Sequence, residues 1–177
     1  WGLILFRRNV VERAQIKDLI AQFRESVGRP DAPILIDQEG GRVQRLGPPH
    51  WRRYPAGARF LDVSKGDLSA AAELARLSAR LIAHDLFEVG VTIDCAPVLD
   101  LPVEGMTDAI GDRAYARDPQ STAIIGRAFA DGLIAGGLLP VIKHIPGHGR
   151  AMVDSHKELP FVEAPRAVLS ATDFVPF

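Results

Sequence analysis

The chain has 177 residues, and its 21 Lys plus Arg are matched by 22 Asp plus Glu, a formal net charge of -1 that gives no reason to expect a nucleic acid partner. With 47% hydrophobic and 24% charged residues, the composition excludes a disordered, collagen-like or coiled-coil chain. One cysteine, Cys95, precludes an intrachain disulfide and suits a reducing compartment, and no apolar run approaches the roughly 18 to 20 residues of a membrane span.

The chain opens on Trp1-Gly2-Leu3-Ile4-Leu5-Phe6, with no initiator Met and no basic leader, as if inside a folded element. It reads as a piece of a longer protein, which leaves an upstream signal or lipidation sequence open. Residues 2–6 form the first expected strand. Ile16, Leu19, Ile20, Phe23 and Val27 follow at helical spacing, with Asn9 and Glu12 resembling a capping box and Gly28 a left-handed terminator. A second strand is expected at 33–37. Residues 67–88 carry two apolar rows, Leu74, Leu77 and Leu81 beside Ile82, Leu86 and Val89, in a helix that Gly90 ends. A third strand follows at 91–94. Asp118-Pro119 then announces a helix running through Ile125, Phe129 and Leu133 to Gly136-Gly137, and a fourth strand is expected at 139–144.

Strands this continuously apolar imply burial on both faces, as in parallel strands covered by helices. The class is α/β. Excess length sits after the strands and before the helices, where α/β folds place active sites, and the strand ends carry polar residues. Four such units make half of a (β/α)8 barrel, which usually needs about 250 residues. The expected fold is therefore of (β/α)8 TIM-barrel type with this chain covering its first half to two-thirds, although an open doubly wound sheet fits the periodicity equally well. A half-barrel alone exposes strand edges and an incomplete core.

The densest chemistry lies in Lys143-His144-Ile145-Pro146-Gly147-His148-Gly149-Arg150 and Asp154-Ser155-His156, which follow the fourth strand. Asp154 and His156 are two apart, so in an extended segment the carboxylate can orient the imidazole as a general acid and base. The alternative is structural roles for His144 and His148 and a surface His156. His144, His148, Asp154 and His156 also supply enough ligands for zinc, but no rigid helix fixes the spacing; a phosphate nest at 147–150 is a weaker signal. After the second strand, Asp37-Gln38-Glu39-Gly40-Gly41-Arg42-Val43-Gln44-Arg45 offers carboxylates and guanidiniums for bidentate recognition of hydroxyls or a carboxylate. For Glu39 and Arg42 the spacing favours a structural salt-bridge network around the Gly-Gly turn. Arg113, in Ile110-Gly111-Asp112-Arg113, either reaches the same pocket or fastens its own loop. Asp94, at a strand end, caps backbone amides or binds ligand.

Taken together, these segments resemble the glycoside hydrolase family 3 barrel, most closely its bacterial β-N-acetylhexosaminidase branch. The resemblance covers residues 1–9, 37–46, 96–100, 110–113, 143–149 and 154–156 in family order; Ile145 departs from it, standing where the family usually has an aromatic residue. It implies one partial catalytic barrel domain over residues 1–177, with its N-terminal start and C-terminal strands missing. His156 would be the acid/base, paired with Asp154, on a mobile loop, while Asp37, Arg45, Arg113, Lys143 and His144 hold an N-acetylglucosamine unit. An aspartate nucleophile on a later strand, beyond Phe177, would complete a retaining mechanism. The implied substrate is an N-acetylglucosamine-containing saccharide or muropeptide, handled in the bacterial cytoplasm during peptidoglycan recycling, with no cofactor and no metal. A family 3 β-glucosidase, a metal-dependent hydrolase and a silent sugar-binding half-barrel remain the alternatives, and oligomeric state is not readable.

Overall fold

The structure, a computed structural model, describes residues 2–105, 108–153 and 159–177. In chain order its elements are β1 (Leu3–Leu5), α1 (Arg13–Ser26), β2 (Ile34–Ile36), the hairpin of β3 (Gln38–Gly40) and β4 (Val43–Gln44), α2 (Arg59–Val63), α3 (Leu68–Phe87), β5 (Ile93–Asp94), α4 (Pro119–Ala135), β6 (Leu139–Pro140) and α5 (Arg166–Ala171). Single 3-10 turns occupy Arg7–Asn9, Gly111–Arg113 and His148–Arg150.

The main sheet runs β1-β2-β5-β6, entirely parallel, so each strand lies beside its predecessor in the sheet. A doubly wound sheet reverses its strand order at a switch point, and this one does not. Successive right-handed crossovers in one direction put every connecting helix on one side, which is the progression of a barrel wall. The two faces differ accordingly. Leu5, Ile34 and Ile36 are fully buried with Ile16, Ile82 and Leu86 of the helices. The opposite row, in register across the sheet, is Ile4, Leu35, Ile93 and Leu139; its end members Ile4 and Leu139 are 40% and 64% exposed. This second row faces the barrel interior.

The fourth strand is shorter than its apolar run. After Pro140 the chain continues along residues 94–99: Val141 N donates to the Asp94 and Ala96 carbonyls, Lys143 N to that of Pro97, and Leu99 N back to that of Lys143. The effect is to carry Lys143 and His144 over the end of β5.

Helix boundaries follow side-chain caps at α3 and α4, where the Asp67 carboxylate accepts from Ala70 N at 3.0 Å and that of Asp118 from Ser121 N at 2.8 Å. At α1 the expected capping box does not form. Asn9 Oδ1 instead accepts from Phe6 N at 2.9 Å, closing the 3-10 turn, and the helix begins four residues later with Glu12 at the N-cap position. Gly28, at φ +63°, and Gly90, at φ +91°, sit just past their helices in the left-handed region that favours glycine. Of the two apolar rows in α3, Ile82, Leu86 and Val89 are buried, whereas Leu74, Leu77 and Leu81 remain partly exposed over Tyr54 and Phe60.

The buried face of α3 is chiefly alanine, with Ala71, Ala75, Ala79 and Ala83 fully inaccessible. Small residues there let α4 approach closely: a Cβ on Gly132 would collide with the carbonyl of Arg76, and one on Gly136 with Ala83. Gly132→Ala in the full-length protein is therefore expected to destabilise it by about 1 to 3 kcal/mol, as overpacking does. Thermal unfolding checks this, and an unchanged midpoint would show that the two helices can separate freely.

Candidate functional site

The site forms at the C-terminal ends of the strands, and buried Gln38 builds its first wall. Its Nε2 donates to the Leu46 carbonyl at 2.8 Å, while its Oε1 accepts from Arg45 N and Leu46 N at 2.9 and 3.0 Å. These bonds fold the hairpin back on itself. Arg45 is thereby aimed at the residue following β2, and its Nη2 donates to Asp37 Oδ2 at 2.9 Å. The other oxygen of Asp37 accepts from Lys143 Nζ, also at 2.9 Å.

Glu39 supplies the second carboxylate. It receives both Nε and Nη2 of Arg113 at 2.8 Å in a bidentate fork and also pairs with the Lys143 ammonium. Beneath these groups, Asp94 is completely buried and its Oδ1 accepts from Gln38 N at 3.0 Å, so it fixes the backbone under the hairpin. Asp100 lies in the loop after β5. Its Oδ2 accepts from His144 N at 3.0 Å and lies 2.6 Å from His144 Nδ1, while Arg113 Nη2 stands 3.4 Å from His144 Nε2.

Charge and burial are balanced across the cluster. Burial works to raise the Asp37 carboxyl, but Lys143 and Arg45 overcome it and hold it below the usual carboxylate range. Arg113 shows the converse: burial disfavours its charge, and the Glu39 fork keeps its pKa above the ordinary value. Asp94 is pushed well upward by desolvation, which outweighs the Gln38 backbone N–H and the nearby Lys143 charge. Cys95 on the neighbouring strand end is raised to about 11, by burial first and the Asp37 charge second. Each of the three cations is thus already paired with a carboxylate. What remains for a ligand is hydrogen-bonding capacity, and His144, 36% exposed, is the most open of these side chains. Paired donors and acceptors suit a polyhydroxylated, uncharged molecule better than an anion.

The structure gathers Asp37, Arg45, Arg113, Lys143 and His144 into one cluster. Asp154 and His156 lie outside the described residues, and so does half of the proposed zinc set; among the described residues no group of three or more His, Cys, Asp and Glu is placed to hold a metal ion. Glu39 and Arg42 both form the salt bridges expected of them, but in separate groups. Glu39 turns inward to Arg113 and Lys143, and Arg42 turns outward to Asp108 and Asp112. Two members of the site were not singled out by sequence, Glu39 as a buried bridge and Asp100 as the partner of His144. For Asp100, its place after Ala96-Pro97-Val98 in a long loop was the available signal.

All of residues 1–177 match the family described as glycosyl hydrolase family 3 N terminal domain. The chain belongs to glycosyl hydrolase family 3. It is 43% identical over 176 residues to a beta-hexosaminidase of Methylococcus capsulatus, covering 99% of this chain and 51% of that protein. It is 38% identical, over the same share of this chain, to one of Actinobacillus pleuropneumoniae. Native NagZ from Neisseria gonorrhoeae superposes with a TM-score of 0.89 at 37% identity, over 99% of this chain and 51% of that one. The chain thus spans about half the length of the curated relatives it matches, and its fold is the first part of the family's TIM-type barrel domain.

Because Glu39 alone bridges Arg113 and Lys143, Glu39→Gln leaves two largely buried cations short of one counter-charge. The full-length variant is expected to lose about 2 to 4 kcal/mol in urea unfolding, within the range for breaking a buried pair. Wild-type stability in that variant would mean that water replaces the carboxylate without loss.

Proposed function

We propose that the complete protein is a retaining exo-β-N-acetylglucosaminidase that removes terminal N-acetylglucosamine from peptidoglycan-derived muropeptides. The observation that carries this reading is the ion-paired, hydrogen-bonding cluster of Asp37, Arg45, Arg113, Lys143 and His144 at the strand ends. It offers carboxylate oxygens that accept from sugar hydroxyls beside ammonium and guanidinium groups that donate to them, at the end of a barrel where family members act. Further support comes from NagZ of Neisseria gonorrhoeae, 37% identical, which has been solved in complex with N-trifluoroacetyl-D-glucosamine. The muropeptide substrate and a cytoplasmic location follow from the family resemblance; no helix among the described residues is long and apolar enough to cross a membrane.

In this proposal the cluster fixes the sugar, and two further groups carry the chemistry. His156 protonates the glycosidic oxygen as an aspartate beyond residue 177 attacks the anomeric carbon. A covalent glycosyl-enzyme forms and the aglycone leaves. His156 then takes a proton from water, which attacks the same carbon, releases the aspartate and restores the original configuration. Asp154 orients the imidazole between the two steps.

The first test compares an aryl N-acetyl-β-glucosaminide with the matching aryl β-glucoside, using the full-length protein with excess chelator. Selective, chelator-resistant cleavage of the N-acetyl substrate is expected. Preference for the glucoside would point to a β-glucosidase, and activity restored only by zinc would point to a metal-dependent hydrolase. His156→Ala should slow turnover about 100-fold or more, the usual scale for a general acid, while Asp154→Ala should lower the rate and leave binding largely intact. Near-normal turnover of a poor-leaving-group substrate by His156→Ala would remove that residue from the mechanism.

A further inference from the structure

Asp100 has a fully buried side chain, and among the described residues its Oδ2 is engaged by His144 alone. That oxygen accepts the His144 backbone N–H at 3.0 Å, so it is an acceptor toward the ring as well, and Nδ1 at 2.6 Å must bring the hydrogen. The other end of the ring gives the same answer independently. Arg113 Nη2 lies 3.4 Å from Nε2; a guanidinium can only donate, and this one is locked in place by its double bond to Glu39. An N–H on Nε2 would point donor against donor. The backbone bond and the ring bond converge on one oxygen, so ring orientation is fixed together with the chain that bears it.

We propose that Asp100 is a positioning residue that holds His144 as the Nδ1–H tautomer and so presents Nε2 as a hydrogen-bond acceptor to a hydroxyl of the bound sugar. The assignment of the ligand rests on the sugar site proposed above; the assignment of the tautomer rests on geometry alone. Asp100 touches no substrate in this scheme. It acts through His144, the most exposed member of the cluster, whose unprotonated nitrogen complements the donors of Arg45, Arg113 and Lys143.

Imidazole nitrogen resonances of the 15N-labelled full-length protein test this at about pH 8, where histidine is ordinarily neutral. Loss of cross-peaks in His144→Gln identifies those of His144. The wild type is expected to show a protonated Nδ1 and a bare Nε2, a measurement that requires no variant to fold. Asp100→Ala is expected to populate Nε2–H and to raise KM for the aryl N-acetyl-β-glucosaminide about 10-fold, with a smaller change in kcat, as for loss of one strong hydrogen bond. Asp100→Asn keeps a side-chain oxygen able to accept both bonds and should restore both readings toward wild type. A wild-type His144 carrying its proton on Nε2, or a folded Asp100→Ala with unchanged tautomer and KM, overturns the proposal. A protein with the Nδ1–H form but no glycosidase activity would instead overturn the sugar site and leave the tautomer assignment standing, so the two failures are distinguishable.

Discussion

Two acids, Asp37 and Glu39, tie together three cations that arrive from different parts of the chain. Arg45 comes from the end of the hairpin, Arg113 from the loop after β5, and Lys143 from the segment after β6. Each of these charges is largely removed from water and would be costly alone. Together they form a network in which the Asp37 carboxyl is held below the usual carboxylate range and the Arg113 guanidinium above its ordinary value. The loops cannot be placed independently, because moving any one strands a buried charge in another. That mutual dependence is what gives a site built on loops the rigidity of the sheet beneath it.

The sheet sets the spacing. Asp37 lies one residue past β2, two beyond Leu35 on the interior row, and strand alternation carries it to the same face. Lys143 reaches that face because the chain past β6 goes on pairing with residues 94–99. Asp94 occupies the opposite face, fully buried, holding Gln38 N rather than a ligand. Successive strand residues thus divide between two tasks, interior residues facing the site and buried ones securing the hairpin that brings Arg45 and Glu39 to it.

How much of this is legible in the sequence depends on the range of the interaction. Strands and the three long helices announce themselves by local signals: apolar runs, Asp67 and Asp118 as caps, and Gly28 and Gly90 as terminators. The sheet order is not local, since the same periodicity serves a barrel or a doubly wound sheet, and only pairing decides. The hairpin is equally hidden, because Gln38 and Glu39 are polar residues buried by hydrogen bonds rather than by hydrophobicity. Glu39 misleads for the same reason. Its nearby opposite charge is Arg42, three positions on, while its actual partner Arg113 lies 74 positions away. Asp100 and His144 are 44 positions apart, and nothing in their spacing marks them as a pair.

The interior row bears on how the site is enclosed. Ile4 and Leu139 leave apolar surface open on the face that a closed barrel fills with side chains from alternate strands. Among the described residues β1 and β6 are the two edges of the sheet, and the chain spans about half the length of its curated relatives. The site sits at the rim of that same face, so strands that complete the interior would also complete the cluster. A retaining glycosidase needs two catalytic groups about 5 to 5.5 Å apart, on opposite sides of the scissile bond. The described cluster is walled on one side by the hairpin and beneath by Asp94, and it is open toward the unfilled interior. In the proposed mechanism a nucleophile on a later strand would enter from the open side, facing Asp37, Lys143 and His144.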